Sequence, residues 1–538
     1  MLKRRTWTPI AGILTLVMLM AAAVFVYLLL KVDVLPLKFL IPILAALAAV
    51  LALAIFLLYF GLHRKRSTAR RVRRIIGVIL AALLVFSCVF GSMVLLRVEK
   101  TKHDVTVVKA TNRAMLSLVV QLDDPAQELA DVAGYRIGVL GSIDRFNTNY
   151  ALAELIKTTG GNIEIENFNG ATDAATSLME GEVNALLVNN GLMTVLDEEE
   201  SWRYYVDGIR VLAEIPVPID AKEEETEDIL AAFLAPPTPE PTPEPTPEPT
   251  PEPEVYGEKE TLIFYLNGID NWEENDNSQT HGDVNVLLAV NARTKQILMV
   301  NTPRDCFVDN VAVKAYVKYG NGDKLTHCAV HGIANSEAAL ENLYGIKINN
   351  YAKINFTGFE RLVDTLGGVD FYNPVAFKTI GRRGDVSFEV GDLHLDGYEA
   401  LVYARERHAF GNGDLTRGQN QMRIIRAIIE KGKNNGASMI MNYKELLDTL
   451  GGTFETDLTP EQISDLAKIA LDNLSEWDIK SYGTIGVSGI RVTATGGSTP
   501  LAILWPNQSS IEFSSSLFQM ILNDEVITDE YLESAPKR

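Results

Sequence analysis

Three apolar runs fill the first hundred residues, at 10–30, 37–62 and 75–96. Each is long enough to cross a bilayer core of about 30 Å at roughly 1.5 Å per residue. A segment in lipid must satisfy its own backbone polar groups, so each run is constrained to be a helix. The first run lacks a small-residue cleavage site and two more come after it, so it reads as a span, not a removed leader. A buried helical hairpin of a soluble protein fits these lengths poorly. Basic residues set the orientation. Lys3, Arg4 and Arg5 precede the first span, and Arg64, Lys65, Arg66, Arg70, Arg71, Arg73 and Arg74 fill the loop before the third. The connection between the first two spans holds only Lys31, Asp33 and Lys38. The excess of positive charge predicts a cytoplasmic N-terminus, with everything after Leu96 outside the cell.

Net charge is -20 despite those basic loops, so the outer part is strongly acidic. Such a surface argues against nucleic acid and against adsorption to anionic lipid. Local clusters of arginine therefore stand out. Of three cysteines, Cys88 falls in the third run, while Cys306 and Cys328 lie outside it with 21 residues between them. That pair is a disulfide candidate in an oxidising compartment.

Residues 104–220 alternate strand and helix patterns. Strands are expected at 118–122, 135–140, 163–167, 183–188 and 211–216, with helices at 126–132, 149–158 and 171–180. This is a small α/β domain. The stretch 129–139 and the later 181–185 resemble the solute-binding-protein-like fold. About 115 residues suffice for one lobe of that fold, so the domain is read either as a sensor or docking module or as a scaffold without a ligand. Residues 221–257 form an acidic linker whose Thr-Pro-Glu-Pro repeat runs from Pro236 to Glu254. Alternate prolines exclude helix and sheet and favour a polyproline II rod of roughly 60 Å. Its simplest use is to lift the C-terminal domain toward the wall, although a proline-reading partner is the alternative.

Residues 258–538 carry the chemistry. Buried strands are expected at 261–266, 284–290 and 296–300, the last two joined by a turn at 291–295. Their ends bear Asp270, Asp283 and Arg304, placed where ligands gather in a helix-covered sheet. Asp270 and Asp283 suit a pair of hard-oxygen ligands for Mg²⁺ (or Mn²⁺). Further on, Arg405, Arg407, Asp414, Arg417 and Gln421 crowd the boundary between two helices, flanked by Leu401, Val402, Ile424, Ile425, Ile428 and Ile429, which pack against a core. Guanidinium groups beside a helix start suit oxygen-rich anions; an Arg–Asp salt-bridge knot between the helices is the other reading.

Seven short motifs occur here in a fixed order: Gly268-Ile-Asp270, His281-Gly-Asp283-Val284, Thr302-Pro-Arg-Asp305, Val363 through Asp370, Leu395-Asp-Gly397, Tyr403-Ala-Arg-Glu-Arg407 and Gly413-Asp-Leu-Thr-Arg417. Together they resemble the LytR-CpsA-Psr family of cell-wall glycopolymer ligases, over roughly residues 258–433. The resemblance implies an α/β/α sandwich with an apolar tunnel for a polyprenyl chain. It implies transfer of a glycopolymer (teichoic acid, capsule or a related polymer) from undecaprenyl pyrophosphate to a muramic acid of peptidoglycan, through a phosphodiester. By the same resemblance Asp270 and Asp283 stand near Mg²⁺, Arg304, Arg405, Arg407 and Arg417 grip the pyrophosphate, and Asp414 and Gln421 complete the site. The hydroxyl's proton acceptor is then Asp270 or Asp414. Such transfer depends on charge neutralisation and positioning.

Two features depart from a plain match. His281 stands where the family usually has arginine, and reads as a polar loop residue. His327, Cys328 and His331 invite a metal site, but a contact at a helix start fits their spacing better. After residue 433, helices are expected at 443–450 and 460–473, a strand at 479–487, and a helix from Ser509. Two other functions share most of this pattern: a membrane sensor that binds lipid-linked precursor without transfer, and a hydrolase that releases the polymer.

Overall fold

The computed structural model describes residues 4–59, 68–106, 112–141, 143–197, 203–218, 221–222, 226, 229–230, 233, 261–269, 281–313, 320–379, 386–411, 413–434, 453–472 and 477–537. The proline-rich linker, Asp270, the basic residues Arg64 to Arg66 and the helix expected at 443–450 lie outside the described residues, as does the side chain of Asp414.

The apolar runs form helices α1 (Arg4–Val32), α2 (Leu37–Tyr59) and α3 (Thr68–Thr106). All three are long and apolar enough to cross a membrane. They run alternately up and down. At one end the indole N–H of Trp7 donates to the Leu58 carbonyl at 3.2 Å, and the Arg74 guanidinium lies 4.6 Å from the Trp7 ring centre. At the other end Lys31 Nζ is 3.4 Å from Glu99 Oε1. Leu37, Leu83 and Phe86 leave more than half of their surface uncovered, as lipid-facing side chains do.

The next unit is a mixed five-stranded sheet of order β3-β2-β4-β1-β5. Its strands are β1 (Asn112–Gln121), β2 (Arg136–Val139), β3 (Glu164–Asn167), β4 (Ala185–Asn189) and β5 (Ile209–Pro218). β2 is parallel to β3 and β4, and β1 is antiparallel to β4 and β5. Alternation on β1 sends Leu116, Leu118 and Val120 against α4 (Arg145–Thr159) and Val119 toward α5 (Ala171–Met179), giving two cores. Two short helices, α6 (Asn190–Asp197) and α7 (Arg203–Asp207), complete the unit. The helix expected at 126–132 is only a single 3-10 turn, Leu129–Val132. The Asp131 carboxylate accepts from the Gln127 and Glu128 N–H groups, and Gly134 at φ +89° turns the chain away.

The C-terminal unit is built on a six-stranded mixed sheet of order β16-β11-β6-β7-β8-β17. Its members are β6 (Thr261–Ile269), β7 (Gly282–Asn291), β8 (Gln296–Asn301), β11 (Asn350–Asn355), β16 (Phe454–Thr456) and β17 (Asp478–Gly483). Small pairings flank it: β9 (Phe307–Asp309) with β10 (Gly322–Lys324), β12 (Val369–Asn373) with β15 (Gly391–Leu395), β13 (Phe377–Lys378) with β14 (Ser387–Phe388), and β18 (Gly486–Arg491) with β19 (Leu501–Pro506). The helices are α8 (Leu325–Cys328), α9 (Ile333–Tyr344), α10 (Phe356–Thr365), α11 (Gly397–Arg405), α12 (Gly413–Asn434), α13 (Pro460–Asp472), α14 (Gln508–Leu522) and α15 (Asp529–Glu533). Helices cover both faces. Ile263, Tyr265, Leu287 and Val300 pack with α9 and α14, while Val286, Ile297 and Met299 pack with α12 and α13.

The single strand expected at 479–487 is two strands in different sheets. The chain breaks at Thr484, whose N–H donates to the Asn301 carbonyl, and β18 then crosses to pair with β19, a strand the sequence did not reveal. Cys306 and Cys328 are free thiols buried in one core, not a disulfide.

The two sheet units touch. Ala171 N–H and Thr172 N–H, at the start of α5, donate to the carbonyls of Thr495 (3.0 Å) and Gly496 (2.8 Å), and Ser498 N–H donates to Asp173. Gly170 meets the Gly497 backbone so closely that a Cβ on Gly170 would overlap it. The unit after the linker therefore lies against the unit before it and is not lifted away from it.

Candidate functional site

Opposite the α9–α14 face, a cavity of about 820 Å³ runs across the C-terminal sheet. Every strand from the edge inward contributes: Phe454 from β16, Ile354 from β11, Leu266 and Gly268 from β6, Asp283, Val284 and Leu288 from β7, and Arg304 just beyond β8. Neighbouring strands lie about 4.8 Å apart, so the two extremes are separated by roughly 19 Å. Charged side chains gather beyond the strand ends, and most of the remaining lining is hydrocarbon.

The charged end is assembled from three segments. Asp283 opens β7, and Arg304 follows β8, its antiparallel neighbour, so the strand register itself sets them side by side. Arg304 Nη1 donates to Asp283 Oδ1 at 2.6 Å, with only 7% and 12% of the two side chains exposed. A pair this dry keeps its Coulomb attraction but needs further polar company to offset desolvation. Arg405 is the last residue of α11, where the helix dipole favours a cation. Its guanidinium lies 4.1 Å from the Phe356 ring centre. The α11 start is fixed by a capping box between Asp396 and Glu399, and Gly397 rests on the Glu360 backbone too closely for any Cβ.

α12 supplies the third segment. Arg417 and Gln421 are one helical turn apart on a buried face, and Gln421 Nε2 donates to the Asp283 carbonyl at 3.4 Å. One and two turns further, the same face presents Ile424, Ile425 and Ile428 to the cavity. These isoleucines, with Leu401, Val402 and Ile429, were expected as core packing, and they also form the apolar wall. Arg407 and His408 stand at the rim, 3.4 Å apart between Arg407 Nε and His408 Nε2.

Of the residues singled out from sequence, Asp283, Arg304, Arg405, Arg407, Arg417 and Gln421 thus line one cavity. Phe356 and Glu406, also in its wall, gave no signal, because an aromatic after a strand and an acid between arginines read as core and salt bridge. His281 is in the loop just before β7, as expected. It is buried, its ring 5.6 Å from that of His327. His327 Nδ1 lies 2.6 Å from Asp323 Oδ1, at the start of α8. Burial pushes the His327 imidazole below its usual range. Burial also works to raise the Asp323 carboxyl, but the charge and hydrogen bond of His327, with donors from Thr495 and Asn310, hold it at about 2. Among the described residues no group of three or more His, Cys, Asp or Glu side chains is placed to hold a metal ion. Asp283 nonetheless offers a hard oxygen at the charged end, and Mg²⁺ commonly takes one or two carboxylates with phosphate oxygens completing its shell.

Residues 242–493 match the LytR_cpsA_psr family. The polyisoprenyl-teichoic acid–peptidoglycan teichoic acid transferase TagU of Enterococcus faecalis is 34% identical over 215 residues, which span 40% of this chain and 66% of that protein. Its namesake in Oceanobacillus iheyensis is 30% identical over 241 residues, 43% of this chain and 70% of that one. A solved structure of TagT bound to LI-WTA is 25% identical, covering 50% of this chain and 94% of the other at a TM-score of 0.38. The chain belongs to the LytR-CpsA-Psr family.

Proposed function

We propose that this chain is a membrane-anchored phosphotransferase that moves a glycopolymer of the teichoic acid class from a polyprenyl-pyrophosphate carrier to a muramic acid of peptidoglycan. The observation that carries this reading is the cavity's mixed wall: four arginines with Asp283 and Gln421, in a volume whose remaining lining is mostly isoleucine, leucine, valine, alanine and phenylalanine. An amphiphile with a pyrophosphate head and a hydrocarbon tail fits it, and relatives about 30% identical are named as polyisoprenyl-teichoic acid–peptidoglycan transferases.

In this reading Arg304, Arg405, Arg407 and Arg417 take the pyrophosphate oxygens, and the apolar wall holds the chain so that the P–O–P linkage stays among them. The incoming sugar hydroxyl forms an O–P bond to the phosphorus that carries the polymer, the P–O–P bond breaks, and polyprenyl phosphate leaves. Asp270 or Asp414 takes the hydroxyl proton. Asp283 would hold Mg²⁺ or Mn²⁺ together with Asp270, and the ion, when bound, neutralises charge on the bridging phosphates. Arg304 donates to one oxygen of the Asp283 carboxylate and so holds it in place. The N-terminus is cytoplasmic and the catalytic unit extracellular, a placement supported by the basic residues Arg71 to Arg74 at the start of α3, the end opposite Lys31 and Glu99. The C-terminal unit is an α/β/α sandwich, and the β1–β5 unit is a single solute-binding-like lobe.

The test uses the full chain in lipid nanodiscs with a polyprenyl-pyrophosphate oligosaccharide, a peptidoglycan oligomer and Mg²⁺, with products followed by mass. Coupled product is expected, and Arg405→Ala should lower its rate by about 10²–10³-fold. Free polymer phosphate in place of coupled product would make the protein a hydrolase. Binding without either product would make it a sensor.

A further inference from the structure

The catalytic unit rests on the membrane helices. Lys468 Nζ on α13 forms an ion pair with Asp33 Oδ2 at 2.6 Å, in the turn between α1 and α2, and is steadied by Asp465 at 3.3 Å. Ser464 Oγ, one turn earlier on α13, donates at 3.4 Å to the carbonyl of Val32, the last residue of α1. α3 packs against both α13 and β16. The Lys31–Glu99 pair levels the end of α1 with the last part of α3, where the apolar stretch ends at Lys100. These contacts therefore gather at the membrane boundary.

β16 is the edge strand of the sheet, and its Phe454 lines the cavity beside Ile354. The cavity wall at Phe454 thus abuts the helix that leaves the bilayer. A polyprenyl chain begins in the bilayer and must finish in that cavity. We propose that the membrane region is a seat for the catalytic unit, held by Asp33 and Lys468, and that α3 is the wall along which the polyprenyl chain of a membrane-resident carrier passes into the cavity beside Phe454. The inference rests on the transfer reading and adds a route for its lipid substrate. It gives the membrane helices a part in substrate delivery beyond anchoring.

The test compares two carriers with the full chain in nanodiscs: a long-chain carrier embedded in the bilayer, and a short-chain carrier soluble in water. Asp33→Lys and Lys468→Asp should each lower coupling from the embedded carrier at least tenfold and leave the soluble one within twofold. The double exchange, which restores opposite charges, should recover most of the loss. Equal rates with the embedded carrier in all variants would overturn the seat, as would equal loss on both carriers. Coupling of neither carrier by the native chain would instead overturn the transfer reading, and the route with it. A readout independent of activity is cross-linking of Asp33→Cys with Lys468→Cys by a short bis-maleimide in the bilayer. Rapid linkage is expected, and its absence would remove the seat.

Discussion

Arg304 and Asp283 show how a residue's role became readable before its surroundings did. Charged side chains at strand ends are rare enough in a buried sheet to be noticed in one sequence. Their 2.6 Å contact then follows from the pairing of β7 with β8. The burial of His281 in its loop could not be read from sequence, because its neighbour His327 is brought near only by the tertiary fold. Glu337 was invisible for the same reason. Burial, then the nearby Asp457 and Glu341 carboxylates, push its carboxyl up to about 7 from the usual 4.5. A raised carboxyl favours the fold below the unfolded value and loses that advantage as pH climbs through the folded one. Stability should therefore fall between about pH 4.5 and 7. Glu337→Gln should flatten that slope and gain on the order of 3 kcal/mol above pH 7. Melting temperatures of both forms from pH 4 to 8 check this; parallel curves would refute it.

Elements with strong periodicity were legible, and their polar ends were not. The third apolar run became a helix of 39 residues because Thr68 to Arg74 and Arg97 to Thr106 continue it, and hydropathy cannot register a helix that leaves lipid. The break between β17 and β18 escaped notice because Gly483 to Gly486 carries no proline or turn dipeptide. α12 carries both halves of the site on one face, Arg417 and Gln421 leading into Ile424, Ile425 and Ile428. Its apolar stripe looked like core because a cavity wall and a packed interior use the same residues. The distinction is testable at Ile425. A charge introduced into a packed core would unfold the unit, whereas Ile425→Asp in a cavity wall should cost few degrees of melting temperature. It should weaken long-chain carrier binding at least tenfold. Titration of a labelled polyprenyl lipid measures the second effect, and unchanged affinity would remove Ile425 from the lipid path.

At the level of the whole molecule, the order of regions along the chain was plain from composition, but their contacts were not. The proline repeat suggested separation, while Gly170 and Gly497 show two units pressed together. Nothing in a glycine's neighbours announces that a backbone from more than three hundred residues away needs its bare Cα. Gly170→Val should wedge that contact apart. Hydrogen exchange at residues 493–499 should then quicken at least tenfold without loss of either sheet, and unchanged exchange would mean the contact is dispensable. The linker joins two bodies that already touch, and so the chain is a closed ring. In a ring, the tether fixes the local concentration at which one body meets the other through its length and stiffness. A contact too weak to form between separate molecules is then mostly closed. Each added Thr-Pro-Glu-Pro unit adjusts how often it opens, which makes repeat number a quantitative control on domain association.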